Sequence, residues 1–318
     1  MSYSLEKKRV LVTGAKGFVG RNLVPRLAAS GCELITPGRK DYDLLEQDQV
    51  RALFRDTRPQ VVFHLAAYVG GILANRDYPA DFCYRNMALA AHPLHEAWKS
   101  GVEKFVGLMG GCSYPATAPS PIREDQLWNG YPQPESAPYS LAKAMGHELA
   151  KAYRRQYGFD AIVLVPGNIY GPWDNFDLNA SHVIPALIRK YVEARESGTN
   201  EITAWGTGAP KRDFVYIEDV CRAVVHAAQV YSGPEIINIS SGTRVTIREL
   251  VELISNLAGY QGKILWDSTK PDGQMDKGFD VGRMRDILGF ECTTPLREGL
   301  EKTFAWFTQN RKAALRLS

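Results

Sequence analysis

The sequence predicts an α/β fold in which a doubly wound parallel sheet is joined to a second, smaller lobe. A short apolar run at 9–13 leads into a glycine-rich segment at 14–20 and then into a helical pattern over 21–29. Further apolar runs alternate with amphipathic stretches, which is typical of βαβ units with helices on both faces of a parallel sheet. Glycine and proline become frequent at 166–173 and near 206–210. We expect the chain to pass between the sheet and the smaller lobe at these points.

The order of the elements gives the expected domain division. The apolar runs that we expect to form sheet strands lie at 10–12, 33–36, 61–65, 104–108 and 161–165. A helix at 183–196 and another at 246–257 are assigned to the smaller lobe, and the chain returns to the nucleotide-binding domain with 213–230 and 236–239. The sequence therefore predicts a nucleotide-binding domain of residues 1–170 and 213–240, and a second lobe of residues 171–212 and 241–318.

Composition excludes several classes of partner. The chain has 318 residues, 45% of them hydrophobic, and a formal net charge of +3, with no basic run beyond Lys7-Lys8-Arg9. Binding to nucleic acid or to a membrane surface is therefore not expected, and no apolar stretch is long enough to span a bilayer. The five cysteines are scattered and form no C-x-x-C pair. This pattern, and an N-terminus without an apolar signal segment, predict a reduced, cytoplasmic enzyme.

The segment at 14–20 predicts a dinucleotide site. Gly14, Gly17 and Gly20 follow a strand and open a helix, with Lys16, Phe18 and Val19 between them. Glycines at such a turn let backbone N–H groups approach a pyrophosphate, and the positive end of the helix dipole favours the negative charge. The spacing is Gly-x-x-Gly-x-x-Gly, which differs from the Gly-x-Gly-x-x-Gly fingerprint.

The residues after the second expected strand favour NADP(H) over NAD. An acidic residue often binds the ribose hydroxyls of NAD at this point, but this chain has Thr36-Pro-Gly-Arg39-Lys40. Arg39 and Lys16 together suit a 2′-phosphate. The alternative is that both are solvated surface cations.

Tyr139 and Lys143 are candidate catalytic residues. Residues four apart share one face of a helix, so the Lys143 ammonium is expected to lie beside the Tyr139 phenol and to lower its pKa. Such a tyrosine can exchange a proton with a carbonyl oxygen during hydride transfer. His92 and His95, three residues apart without a third ligand in sight, are interpreted as helix-surface residues, and no metal site is predicted.

The motifs resemble those of the extended short-chain dehydrogenase/reductase superfamily, through 13–20, His64-Leu-Ala-Ala67 and 139–143. Within it, the chain resembles the GDP-L-fucose synthases. The similar segments are Val69-Gly-Gly-Ile-Leu-Ala-Asn75, Tyr78-Pro-Ala-Asp-Phe82, Cys112-Ser-Tyr-Pro115, Tyr170-Gly-Pro-Trp-Asp-Asn-Phe176, Ser181-His-Val-Ile-Pro-Ala186 and Lys270-Pro-Asp-Gly273.

This resemblance implies roles for further residues. Cys112 matches the base and His182 the acid that exchange protons at C3 and C5 of a 4-keto sugar, although a buried cysteine and a structural histidine are the alternatives. His182 and the Leu65, Ala66 and Ala67 segment also match cofactor contacts. The positions that match nucleotide-sugar contacts are Asn168, Lys190, Trp205, Arg212 and Lys270; Trp205 has core packing as its alternative.

The chain departs from the resembling family at Gly110. The superfamily usually has a serine or threonine there, which helps the tyrosine hold the carbonyl oxygen, and Gly111 follows where another serine is common. A hydroxyl donor to a developing oxyanion is worth roughly ten- to a thousandfold in rate. Ser113 is expected to point away from the side shared by Gly110 and Cys112, as it would in extended backbone. The glycine leaves room for a water or for a differently substituted sugar.

The function implied is an NADP(H)-dependent epimerase-reductase acting on a GDP-4-keto-6-deoxy sugar, as a homodimer that pairs its helices around 81–100 and 139–157. Two alternatives stay open: a redox-neutral nucleotide-sugar epimerase with bound NAD, and a C4 reductase for a related keto sugar, which Gly110 favours. A non-catalytic nucleotide-binding module is a third hypothesis. The retention of Tyr139, Lys143, Cys112 and His182 disfavours it.

Overall fold

A computed structural model describes residues 3–178, 180–270 and 272–315, with no side-chain description for Ile72. Its strands are β1 Arg9–Thr13, β2 Glu33–Ile35, β3 Val61–His64, β4 Lys104–Leu108, β5 Ala161–Pro166, β6 Asn168–Tyr170, β7 Glu201–Trp205, β8 Lys211–Tyr216, β9 Ile237–Ile239, β10 Arg244–Thr246, β11 Lys263–Asp267 and β12 Asp276–Lys277. Its helices are α1 Phe18–Ala28, α2 Gln47–Thr57, α3 Ile72–Asp77, α4 Pro79–Lys99, α5 Ala137–Tyr157, α6 Val183–Ser197, α7 Ile217–Val230, α8 Ile247–Ala258, α9 Gly282–Leu288, α10 Leu296–Gln309 and α11 Arg311–Ala314.

Six strands form one parallel sheet in the order β2-β1-β3-β4-β5-β9. The strand order reverses at β1, which has β2 on one side and β3 on the other. In sheets of this kind, ligands bind at the carboxyl ends of the strands where the order reverses. This arrangement confirms the predicted fold class.

Helices cover both faces of the six-stranded sheet. Successive side chains of β1 therefore alternate between two hydrophobic cores, one on each face. Val10 and Val12 belong to one core, which includes Leu23 and Leu27 of α1. Leu11 belongs to the other core, with residues of α2 and α4. Because a parallel sheet of this type is buried on both sides, its strands need continuous apolar runs, which is the pattern seen in the sequence.

A second, smaller sheet is built around β8. Strand β8 pairs antiparallel with β10 and parallel with β12 and β6, and β7 pairs with β11 in a separate two-stranded sheet. Thus β8 lies outside the six-stranded sheet, whereas β9 pairs with β5 inside it. The domain division given above stays a prediction.

The described ranges contain neither a candidate membrane span nor a candidate metal-ion cluster. No helix there is both long and apolar enough to cross a bilayer. No group of three or more histidine, cysteine, aspartate or glutamate side chains there has the proximity that a metal ion requires. His95 instead has its Nδ1 atom 2.7 Å from the Tyr153 hydroxyl, on the surface where α4 meets α5.

Candidate active site

The glycine-rich turn lies at the carboxyl end of β1, where the strand order reverses. Gly14 has a φ of +70°, and a Cβ added there would lie 2.8 Å from the Ala66 backbone nitrogen. A Cβ at Gly20 would collide with the Gly14 carbonyl oxygen. The turn therefore packs against the segment after β3 so closely that it excludes side chains. This brings Leu65, Ala66 and Ala67 beside the turn and opens the N-terminus of α1 to a pyrophosphate.

Lys16 reaches the segment after β2 that contains Arg39. The Lys16 Nζ atom lies 2.9 Å from the position that a Cβ on Gly38 would take. Arg39 lies 3.5 Å from the Asp43 carboxylate, and 71% of its side chain is exposed. Phe18 and Val19 are half-buried at the start of α1, which begins three residues earlier than the helical pattern indicated. The two cations thus border the end of β2, where a 2′-phosphate would lie.

Tyr139 and Lys143 occupy successive turns of α5, and burial acts on both. It raises the pKa of Tyr139 and lowers the pKa of Lys143 to about 8. The sequence-based expectation of a lowered tyrosine pKa is therefore wrong, because desolvation of the phenol dominates. A phenol that retains its proton suits a proton donor.

Cys112 lies in the short turn 111–113, directly after β4. A Cβ built on Gly110 would lie 3.1 Å from the Cys112 Sγ atom and 3.7 Å from the Tyr139 hydroxyl. The thiol and the phenol therefore border the same small space, and Gly110 leaves that space open. The Cys112 charge also acts on both Tyr139 and Lys143, raising the pKa of each.

The neighbouring residues of this turn are packed against other side chains or helices, whereas Gly110 borders open space. A side chain at Gly111 would collide with the ring of Phe279, so this position is glycine for packing reasons. Ser113 is buried and donates a hydrogen bond of 2.9 Å to the Ser140 carbonyl oxygen. The backbone here forms a 3₁₀ turn and not the extended geometry on which the expected direction of Ser113 depended.

His182 lies at the N-terminal boundary of α6. Its Nδ1 atom is 3.8 Å from an oxygen of the buried Asp174 carboxylate, while 76% of the histidine side chain is exposed. Asp174 raises the pKa of His182, although partial burial of the ring opposes this effect. A raised pKa favours the protonated form of the imidazole, which is the form that can donate a proton.

The predicted sugar-nucleotide contacts lie in two places, one set on β6 and β8 and the other around β7. Asn168 donates a 2.7 Å hydrogen bond to the Asp213 carbonyl oxygen and so joins β6 to β8, the strand that contains Arg212. Trp205 is 73% exposed, which is inconsistent with core packing, and the Lys270 Nζ atom lies 5.8 Å from its ring centroid. Lys190 donates to the carbonyl oxygen of Thr203 on the same strand, β7.

Lys277 is a residue of this region that sequence reasoning missed. It lies on β12 in register with Arg212, and Phe279 two residues later packs against Gly111. Burial lowers the pKa of Lys277, and the charge of Cys112 opposes that change. The sequence offered one signal for Lys277, its position shortly after the segment Lys270-Pro-Asp-Gly273. Pro271 of that segment lies outside the described residues.

This combination of fold and site defines an extended short-chain dehydrogenase/reductase enzyme. The model of the NAD dependent epimerase/dehydratase family matches residues 10–240. The chain is 42% identical to the GDP-L-fucose synthase of Sinorhizobium fredii over 97% of this chain and 98% of that protein. It therefore belongs to the NAD dependent epimerase/dehydratase family and, within it, to the GDP-L-fucose synthases.

Two solved structures show the same fold over nearly the whole chain. A GDP-L-fucose synthetase from Naegleria fowleri bound to NADP has a TM-score of 0.91 at 26% identity, covering 99% of this chain and 98% of that chain. A GDP-6-OMe-4-keto-L-xylo-heptose reductase from Campylobacter jejuni has a TM-score of 0.88 at 26% identity, covering 98% and 100%.

Proposed function

We propose that the protein is an NADPH-dependent 3,5-epimerase and 4-reductase of GDP-4-keto-6-deoxy-mannose. The observation that supports this most directly is the convergence of Cys112 and Tyr139 on the open space at Gly110, within 3.1 and 3.7 Å of one point. A thiol that can act as a base and a phenol that can donate a proton to a carbonyl oxygen therefore border the same space. The similarity to GDP-L-fucose synthases supports the same activity.

The epimerisation follows from the acidity of protons beside a carbonyl group. The C4 carbonyl acidifies the protons at C3 and C5. Cys112 as a thiolate removes such a proton, and the electron pair forms an enolate that extends onto O4. His182 then returns a proton to carbon from the opposite face, which inverts the centre. The exposure of the His182 side chain and the raised pKa of its ring both suit this role.

The reduction uses the second pair of residues. NADPH, when bound at the glycine-rich turn, supplies the hydride for C4. Tyr139 donates its proton to O4, and its raised pKa keeps that proton in place until the oxygen becomes basic. Lys143, with a pKa of about 8, retains its positive charge at neutral pH and stabilises the resulting phenolate.

One assay tests the proposed function and its alternatives. The protein is incubated with GDP-4-keto-6-deoxy-mannose and NADPH, the loss of NADPH absorbance is followed, and the product sugar is identified. Consumption of NADPH with formation of GDP-L-fucose is expected. Turnover of GDP-mannose without net change in the cofactor would instead support the redox-neutral epimerase, and nucleotide binding without any turnover would support the non-catalytic module.

Gly110 favours a second candidate, a reductase of a related keto sugar that uses the open space. We expect Gly110→Ser to lower kcat/KM on the true substrate about tenfold. The new side chain would begin only 3.1 Å from the Cys112 thiol and would displace whatever occupies that space. An increase in kcat/KM on GDP-4-keto-6-deoxy-mannose would contradict this expectation and would support the simple fucose-synthase assignment.

Gly111→Ser is the matched control for this variant. Its side chain would meet the ring of Phe279 outside the open space. We therefore expect a lower Tm from Gly111→Ser, whereas Gly110→Ser keeps the wild-type Tm.

We propose that the protein prefers NADPH to NADH, because Lys16 and Arg39 can bind the 2′-phosphate that only NADPH carries. Arg39→Ala is expected to raise the KM for NADPH about tenfold and to leave the KM for NADH nearly unchanged, because only NADPH loses a phosphate partner. Steady-state kinetics with both cofactors measure this. Lys40→Ala removes an exposed cation from the adjacent position and is the control. Equal effects of Arg39→Ala on both cofactors would be incompatible with a 2′-phosphate contact.

A homodimer in the cytoplasm is the proposed state of the protein, with the two-part domain division described above. Exposed apolar side chains on α4 and α5 support pairing of these helices across a twofold axis: Tyr84 and Met87 on α4, and Met145 and Tyr157 on α5. Leu89 and Leu149 are half-buried, and Tyr153 contacts Trp98 within the chain. The five free cysteines agree with a reducing compartment.

Light scattering at micromolar concentration is expected to show a dimer. Met87→Lys combined with Met145→Lys should convert it to a monomer, because two cations would have to be buried in the interface. A wild-type monomer under these conditions would contradict the proposal.

A further inference from the structure

The loop between β6 and α6, residues 171–182, holds a buried carboxylate directly behind His182. Asp174 is 5% exposed, and one of its oxygens lies 3.8 Å from the His182 Nδ1 atom. That Oδ1 atom also accepts a 2.7 Å hydrogen bond from the Asn175 backbone N–H group. The other oxygen, Oδ2, is buried and finds no hydrogen-bond partner among the described residues. Burying a carboxylate with one unpaired oxygen costs desolvation free energy unless a nearby cation compensates its charge.

The loop is anchored so that Asp174 stays in this position. Trp173, just before Asp174, has a φ of +69°, a conformation that a bulky residue rarely adopts. The Arg21 guanidinium stacks 4.3 Å from the centroid of the Trp173 ring, and the Asn22 side chain donates to the Pro172 carbonyl oxygen. Both Arg21 and Asn22 lie on α1, the helix that follows the glycine-rich turn. Strain of this kind persists where surrounding contacts enforce it, and it is common at functional sites.

The second half of the loop brings His182 back toward Asp174. Asp177 is the turning point, since its carbonyl oxygen accepts hydrogen bonds from Ala180 and Ser181. The Asn175 side chain also donates to the Ala180 carbonyl oxygen at 3.2 Å. These bonds connect the two ends of the loop around Asp174.

We infer from this arrangement that Asp174 is the positioning residue of His182: it orients the imidazole through Nδ1 and stabilises its protonated form, which leaves Nε2 to act as the proton donor. This inference rests on the proposed role of His182 in epimerisation. Asp174 itself does not touch the sugar, because it is buried behind the ring, whereas 76% of the histidine side chain is open.

The charged groups around His182 make the expected effect specific. Asp174 is the ionisable group that acts on the histidine, and it raises the pKa of the ring. The cations that contact the same loop bind elsewhere: Arg21 stacks on Trp173, and Arg189 of α6 donates to the Phe176 carbonyl oxygen while pairing with Glu193. Removal of the Asp174 charge should therefore make the imidazole lose its proton at lower pH.

The test is an NMR titration of the histidine ring protons in the full-length protein, without substrate. In Asp174→Asn, the titration midpoint of His182 is expected to fall by about 0.5 to 1 pH unit, as befits a partly solvated ion pair. The His182→Gln variant identifies the signal. The signals of the other histidines serve as internal controls and should not differ between the variant and the wild type. Asp174→Asn retains the Oδ1 acceptor for the Asn175 N–H group, and an unchanged Tm checks the fold.

A second variant and a kinetic measurement complete the test. Asp174→Glu restores the charge and is expected to return the midpoint toward the wild-type value. The alkaline limb of deuterium incorporation at C3 and C5 should move to lower pH in Asp174→Asn by the same amount as the titration midpoint. An unchanged His182 midpoint in Asp174→Asn would overturn the inference, whatever the activity. Absence of epimerisation in the wild type would overturn the proposed function and leave the titration result standing.

Discussion

Cys112→Ser is expected to reduce deuterium uptake from heavy water at C3 and C5 of the keto sugar by about a thousandfold, because a serine hydroxyl is a far weaker acid than a thiol and is not available as a base. The thiol borders the space next to Tyr139, so no other described cysteine can replace it. Reduction of the unepimerised sugar should persist, since Tyr139 and Lys143 are untouched. Mass spectrometry of the product measures the exchange, and NADPH absorbance measures the reduction.

Cys32→Ser is the matched control for that variant. Cys32 is also a half-buried free thiol, but it directly precedes β2, at the amino end of the sheet and away from the site. Its Sγ atom lies 3.1 Å from the Leu27 carbonyl oxygen. We expect wild-type exchange from Cys32→Ser. Exchange at the wild-type rate in Cys112→Ser would show that Cys112 is not the base.

Tyr139→Phe should have the opposite pattern and slow reduction by a factor of about 10² to 10⁴, the usual contribution of a positioned general acid. The ring remains and can still pack edge-on against Phe82, with the centroids 6.2 Å apart, so the fold should be retained. Deuterium exchange at C3 and C5 should continue. Single-turnover consumption of NADPH separates this loss from effects on product release.

Tyr157→Phe, at the other end of α5, tests whether the effect depends on position. Its hydroxyl accepts a hydrogen bond from the Gln156 side chain, about five helical turns from Tyr139. No change in reduction is expected from that variant. If Tyr139→Phe retained the wild-type rate of reduction, the proton for O4 would have to come from another group.

The sequence by itself determined the fold class and much of the candidate site. The apolar runs at β1, β3, β4 and β5 predicted the parallel sheet because a strand buried on both faces cannot alternate with polar residues. The glycine-rich segment could be interpreted from local geometry alone, since a strand, a tight turn and a helix N-terminus are adjacent in the chain. Tyr139 and Lys143 were recognisable for the same reason, as a pair on one face of one helix.

Only the tertiary structure decided how distant segments meet. It brought Cys112 and Tyr139 to the two sides of the open space at Gly110. It also explained why position 111 is glycine, because the ring of Phe279, more than a hundred and sixty positions away, fills the room for a side chain there. It also placed Lys277 beside Arg212, through the pairing of β12 with β8.

The pKa of Tyr139 shows the physical reason for this limit. The spacing along the helix indicated that Lys143 would lower the pKa of Tyr139, but burial by the surrounding elements raises that pKa. The extent of burial cannot be predicted from a local sequence pattern. The same holds for Asp174, whose significance depends on a loop that returns His182 to within 3.8 Å of it. Local sequence determines which backbone geometry a segment prefers, whereas desolvation and charge pairing depend on which surfaces the whole chain brings together.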